Sequence, residues 1–253
     1  MITIETIKDI ARLKHITNLG HAEKDYLLDL ILLSISKRTK NELVFKGGTS
    51  LFKFYKLDRF SEDLDFTLKK ELDIDKLLNE IIIDLRAFGV DVEIKEKKKA
   101  YNSFLNTLRI MGPLFNGNQN SLASVRIDIN IKSSIIIEPF FGKYESLYPD
   151  IPSFSLCVMD EKEILVEKIR AILTRNYARD LYDLNFLLRK GVKPDFNLLN
   201  DKLEYYKEKF SKSKFVKKVN EKRDVWKAEL EPFIIGDLLE FKDVKNFVLS
   251  FFE

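Results

Sequence analysis

The densest group of side chains able to do chemistry lies at Ser61, Glu62, Asp63 and Asp65, inside the stretch VFKGGTSLFKFYKLDRFSEDLDFTL. The segment from Leu64 to Leu68 reads as a strand. Residues two apart on a strand share a side, so Asp63 and Asp65 project together, and Ser61 joins them if the strand extends that far. Aspartate is a poor strand former, and an exposed strand face rarely favours two of them. Two carboxylates on one face repel each other unless a cation sits between them. Hard oxygen ligands suit Mg²⁺, and nucleotide phosphates complete its shell.

A third acid follows in VRIDINIK. Val125, Ile127, Ile129 and Ile131 alternate with Arg126, Asp128, Asn130 and Lys132, giving a strand with one apolar and one polar face. If this strand lies beside the one carrying Asp63 and Asp65, three carboxylates converge. Three acids around one or two Mg²⁺ ions are what nucleotidyl transfer needs. A metal-dependent nuclease also uses clustered acids. Its acid, then E-x-K pattern is missing after Asp128, because Glu138 is followed by Pro139.

Upstream, a strand candidate from Glu42 to Lys46 is broken by Gly47 and Gly48, and Thr49 to Lys56 resumes as a helix. Glycine lets a backbone approach a ligand closely, and free amides at a helix start point at an anion. The hydroxyls of Thr49 and Ser50 add to this phosphate-binding arrangement. A structural turn with a threonine N-cap explains the same residues about as well.

These groups need elements to hold them. Residues 3–13 and 22–38 read as helices, the second apolar around much of its girth and so expected to lie against a sheet. An amphipathic helix follows at 73–88, strands at 90–95 and 104–111, and a Gly/Asn-rich loop at GPLFNGNQNS. The basic run EKKKAY reads as a hairpin turn, and 135–141 as another apolar run. Pro149 and Pro152 mark a linker, after which the pattern is helical at 160–174, 178–189, 195–220 and, in pieces, 224–253. The expected fold class is α+β: a mixed β-sheet core with flanking helices over 1–155, and a helical domain over 156–253.

Composition limits the rest. The formal net charge of +3 excludes a general polycation, so any nucleic-acid contact comes from a local patch. Lys97, Lys98 and Lys99, with Lys132 and Lys143, are candidates for an RNA path. Lys212 to Lys222 is basic too, but interleaved serine and glutamate favour a solvated helix face. One cysteine, Cys157, excludes an intrachain disulfide, and its apolar flank marks it as a buried small residue. His15 and His21 read as solvent or cap residues. No signal peptide and no membrane-spanning apolar run is present, and the expected location is cytoplasmic.

The order of strand, Gly-Gly, Thr/Ser, helix, S-x-D-x-D and a later hydrophobic-D-hydrophobic strand resembles the DNA polymerase β-like nucleotidyltransferase superfamily. More narrowly, KGGTSLFKFYKLDRFSEDLDF is similar to the AbiEii toxin nucleotidyltransferase family. So are EKDYLL at Glu23 to Leu28 and EILVEKIRAILTRNYARDLYDL, which supplies Glu163, Lys168, Ala171, Arg175, Arg179, Asp180 and Asp183. The resemblance spans about residues 20 to 190. It implies that Asp63, Asp65 and Asp128 bind Mg²⁺ or Mn²⁺, and that Lys46, Gly47, Gly48, Thr49, Ser50 and Arg179 contact the nucleotide. It implies further that Lys168 is a cation for the triphosphate, that Asp180 orients Lys168 or another active-site group, and that Ser61 is a hydroxyl near the acids. The implied activity is a toxin's transfer of a nucleotide from an NTP to RNA, with the tRNA acceptor end as the implied acceptor and a cognate antitoxin as the implied partner. The alternatives are a phosphotransferase toxin with another acceptor, and a non-catalytic nucleotide- or RNA-binding protein of the same fold.

Overall fold

The computed structural model describes residues 2–100, 102–132, 134–204 and 208–252. The chain forms two compact units. The first comprises 1–56, 60–133 and 139–158, and the second 57–59, 134–138 and 159–253. Two short segments from within the span of the first unit therefore belong to the second, and the first runs to Val158.

The first unit holds helices α1 (Ile4–Leu13), α2 (Leu19–Ser36), α3 (Gly47–Tyr55) and α4 (Ile74–Ala87). Its strands are β1 (Leu43–Lys46), β2 (Leu64–Leu68), β3 (Asp91–Lys99), β4 (Ser103–Met111), β5 (Ala123–Asn130), β6 (Phe140–Tyr144) and β7 (Phe154–Val158). They form one mixed sheet in the order β3-β4-β5-β2-β1-β7-β6. β2 runs parallel to β5 and antiparallel to β1, while β1 runs parallel to β7. On the buried face, Leu64 and Phe66 of β2 and Ile127 and Ile129 of β5 are each at most 1% exposed, as the alternation in the sequence requires.

α2 is buried almost all round, as its apolar girth anticipated, and packs on α1, α4, β5 and β7. No described helix is long and apolar enough to cross a membrane. Several expectations are corrected. α3 begins at Gly47, two residues early, so Thr49 lies inside the helix and is not its N-cap. β3 continues through the basic run, pairing Lys97, Lys98 and Lys99 with Asn106, Leu105 and Phe104. Charged side chains are favoured there because β3 is an edge strand, where they discourage pairing with another chain. The reversal follows Lys99, and Tyr101 lies outside the described residues. β7 was not anticipated as a strand, and it buries Cys157. His21 is no solvent residue: its ring stacks on Phe60 at 4.8 Å.

Two fully buried aspartates on α2 make a cluster of polar contacts. Lys53 of α3 donates to Asp25 Oδ1 and to Asp29 Oδ1, each at 2.5 Å. Lys14 donates to the other oxygen of Asp25 at 2.5 Å, as does the Tyr148 hydroxyl at 3.0 Å, and the hydroxyls of Ser146 and Tyr144 donate to Asp29 Oδ2 at 2.7 and 3.2 Å. Burial works to raise Asp25, but Lys53 and Lys14 outweigh it and hold it below its ordinary value. Burial and the Asp25 charge leave Asp29 above its own. Two cations against two anions make the cluster formally neutral, and it ties α3 to α2.

The second unit is helical: α5 (Glu161–Thr174), α6 (Ala178–Arg189), α7 (Phe196–Glu204), α8 (Lys212–Glu221), α9 (Trp226–Leu230) and α10 (Phe241–Leu249). The helix expected over 195–220 is two, α7 and α8, with residues 205–207 between them outside the described set. α5 packs against α6, α7 and α8. Its buried Glu163 accepts from the amides of Ile136 and Ile137 at 3.1 and 2.7 Å and pairs with Lys202 at 2.6 Å. That carboxylate holds segment 134–138 within this unit.

Lys53→Met leaves Asp25 and Asp29 buried with one cation fewer. The expected outcome is a loss of about 3–5 kcal/mol in urea-unfolding free energy. A loss below about 1 kcal/mol contradicts the anchoring role.

Candidate active site

The parallel pairing of β2 and β5 places Asp65 directly opposite Asp128. Both carboxylates are partly exposed on the polar face of the sheet. Burial, and next the Asp65 carboxylate, push Asp128 above its ordinary value. Arg126, Lys46 and a hydrogen bond with Ser103 pull the other way without cancelling the rise. Lys46, at the end of β1, is the register partner of Asp65 on its other side. The strand adjacency that the sequence could only suppose is thus present.

Gly47 follows Lys46 and adopts φ +78°, where a side chain is strained. Its Cα faces Asp65, and an added Cβ would stand 2.5 Å from Asp65 Oδ2. The helix-starting turn and the carboxylate pair therefore share one small space. Lys46 is the N-cap of α3, and its side chain makes no capping hydrogen bond. First-turn amides without a cap can donate to an anion. The hydroxyls expected to face a phosphate are otherwise engaged. Thr49 Oγ1 donates to the main-chain oxygen of Asp63 at 2.5 Å, and Ser50 Oγ donates to the Gly47 carbonyl at 3.0 Å. Both residues are fully buried, and they fix the turn and the entry to β2.

Asp63 precedes β2, half-buried, and its carboxylate accepts from Arg126 Nη2 at 2.6 Å. Arg126 sits two residues before Asp128 on β5, on the same polar face. The sequence alternation placed it there, but nothing in it assigned Arg126 to Asp63. Ser61 is half-buried in the segment leading to Asp63. Among the described residues, no three His, Cys, Asp or Glu side chains form a metal-holding group. The donor chemistry nonetheless suits a hard divalent ion: Asp65 and Asp128 are two juxtaposed carboxylates, and Mg²⁺ commonly takes one or two protein carboxylates plus substrate phosphates.

The second unit holds its own ionic cluster. Lys168 Nζ lies 3.3 Å from Asp180 Oδ1 and 2.8 Å from Asp183 Oδ2. Arg59 forks onto Asp183 with two bonds of 2.8 Å, and Arg175 forks onto Asp180 at 2.7 and 2.9 Å. Both aspartates are fully buried. Burial works to raise Asp180, but Lys168 and Arg175 outweigh it and hold it at about 2. Arg179 lies with its guanidinium 4.8 Å from the ring centroid of the exposed Tyr177. Arg59 belonged to no expected site, since no local spacing links it to Asp183.

The proposed basic path does not hold as one surface. Lys97, Lys98 and Lys99 are on β3 and Lys143 is on β6, the two opposite edges of the sheet. Lys97 pairs with Asp75, and Lys143 pairs with Glu145 at 2.6 Å.

A sequence profile described as "Nucleotidyl transferase AbiEii toxin, Type IV TA system" matches residues 31–247. No curated protein sequence matches the chain. Among solved structures, the chain is similar to MenT4, a nucleotidyltransferase toxin from Mycobacterium tuberculosis H37Rv. The TM-score is 0.71 and the identity 21%, covering 100% of this chain and 89% of that one. It is also similar to JHP933 from Helicobacter pylori, with TM-score 0.60, 20% identity, and coverage of 91% and 89%.

Two outcomes are expected. Gly47→Ala strains a left-handed turn and drives a methyl into Asp65, so nucleotide transfer falls at least tenfold while stability falls by only about 1–2 kcal/mol. Unchanged transfer contradicts the close approach. Asp180→Asn removes a carboxylate whose folded value is depressed. Its stabilisation is present above the unfolded value near ~3.9 and is lost as pH falls through the folded one. Urea titration then shows a deficit on the order of 2–3 kcal/mol at pH 7 that shrinks towards pH 3. A deficit that does not change with pH contradicts the assignment.

Proposed function

The chain belongs to the AbiEii family of nucleotidyltransferase toxins of type IV toxin–antitoxin systems, and from that premise we propose that it transfers a nucleotide from an NTP to RNA, with a tRNA acceptor end as the substrate favoured. The observation that carries this reading is the register pairing of Asp65 with Asp128 beside the Gly47 turn. Two carboxylates on register partners, next to the amides of a helix start, are matched to a divalent cation and a polyphosphate. A Mg²⁺ or Mn²⁺ ion, when bound, lowers the pKa of an attacking hydroxyl and offsets charge on the transferring phosphate.

In this reading Asp65 and Asp128 hold the cation, and Asp63 joins them when it leaves Arg126. The amides of Gly47 and Gly48 and the ammonium of Lys46 bind phosphate oxygens. Thr49 and Ser50 act behind them by holding the turn. Ser61 stays a hydroxyl near the acids. Lys168 and Asp180 enter as a fixed ion-pair core of the second unit, because Lys168 is shared by two buried aspartates and its release would leave both uncompensated. Arg179, on its aromatic neighbour, is a contact for nucleotide or RNA phosphate. The helical residues 159–253 and the mixed-sheet core serve as separate structural parts of one transferase. A cytoplasmic location and a cognate antitoxin follow from the same family reading.

The test is incubation of the purified protein with total RNA, Mg²⁺ and each α-³²P-labelled NTP in turn. The expected result is one labelled tRNA-sized species, reduced at least about 100-fold in Asp65→Asn and Asp128→Asn, beyond what loss of a merely supporting partner usually costs. Full labelling by Asp65→Asn refutes the carboxylate pair. No label on any RNA refutes RNA as acceptor and shifts the search to protein or small-molecule acceptors.

A further inference from the structure

Arg126 touches the acid group directly. Its Nη2 donates to Asp63 Oδ2 at 2.6 Å, and it shares the polar face of β5 with Asp128, two residues away. Asp128 in turn is the register partner of Asp65. Both members of the ion pair are partly exposed, Arg126 by 43% and Asp63 by 29% of their side chains. Pairs so placed are weak, typically roughly 0–1 kcal/mol, and exchange partners readily. Asp63 and Arg126 thus make a contact that a stronger ligand for either side can break. Each has such a ligand in a nucleotidyl-transfer site: a divalent cation for the carboxylate, and a triphosphate for the guanidinium.

We propose that Arg126 is a positioning residue that competes with the divalent cation for Asp63 and, once displaced, binds the triphosphate of the incoming nucleotide. The exchange keeps charge balanced. Asp63 passes from a monovalent guanidinium to the cation, and Arg126 passes from one carboxylate to the polyphosphate. Asp65 and Asp128 hold the cation in both arrangements, so nucleotide arrival is coupled to the arrival of the third carboxylate. Lys46, on the other side of Asp65, carries a compact ammonium and cannot fork onto phosphate as a guanidinium does. The inference rests on the metal-dependent reading above.

The experiment is calorimetric titration of MnCl₂ into the full chain without nucleotide, for wild type, Arg126→Gln, Asp63→Asn and the double variant. Arg126→Gln is expected to bind Mn²⁺ roughly two- to fivefold more tightly, the scale of an exposed ion pair removed. In the Asp63→Asn background the same change is expected to give no gain, because the competition is already absent. A gain of equal size in both backgrounds overturns the proposal and leaves Arg126 as a background charge. No gain in either background also overturns it. The second readout is steady-state transfer. Arg126→Gln raises KM for the NTP more than it lowers kcat, and Arg126→Lys recovers part of the loss. An unchanged KM overturns the triphosphate half. Failure of the underlying reading has its own signature: wild type, with Asp65 and Asp128 intact, binds no Mn²⁺ at millimolar concentration.

Discussion

The parallel pairing of β2 with β5 is the constraint on which the candidate site depends. It sets Asp65 against Asp128, two like charges that repel. What holds them there is the other face of the same two strands. Leu64, Phe66, Ile127 and Ile129 are buried below it, each contributing about 1.5–3 kcal/mol by leaving water. A slip of one residue would turn all the β2 side chains over, exposing Leu64 and Phe66 and burying the carboxylate. The register that suits the core is therefore the register that concentrates negative charge. The apolar alternation sets the repulsion.

A second constraint fixes the turn beside the acids. α3 starts at Gly47 and is tied to α2 by Lys53 between Asp25 and Asp29. Buried ion pairs add little net stability, but breaking one is costly. Their effect here is to hold the helix in one position, with its first turn beside the Asp65 carboxylate. Thr49 extends this by binding the main chain of Asp63. The second unit follows the same design: Arg59, Lys168 and Arg175 neutralise Asp180 and Asp183 in its interior.

The parts of the site carried by local pattern were legible in the sequence. The strict alternation around Asp128 and the apolar neighbours of Asp65 identify both strands and the side each acid faces, and the apolar girth of α2 identifies a buried helix. The parts that depend on pairing across the chain were not. Whether β5 lies beside β2 is decided by how the β3–β4 hairpin returns to the sheet, and no local spacing encodes that. The hydroxyls of Thr49 and Ser50 look identical in sequence whether they face a phosphate or the chain's own carbonyls. Lys97 and Lys143 are both exposed and basic, yet strand order sends them to opposite edges. Arg126 was visible on the polar face, but its partner lies on another strand's approach. The four charged residues at the end of β3 look like a turn in sequence, whereas an edge strand tolerates them.

The central claim is that Asp65 and Asp128 together ligate a divalent cation at the Gly47 turn. Anomalous diffraction from crystals grown with MnCl₂ and a non-hydrolysable NTP analogue tests it directly. The account predicts a manganese peak bonded to carboxylate oxygens of both Asp65 and Asp128, at about 2.0–2.2 Å as for a hard divalent ion, with phosphate oxygens against the first-turn amides of α3. A peak elsewhere, or a nucleotide bound with no metal between those two carboxylates, contradicts it.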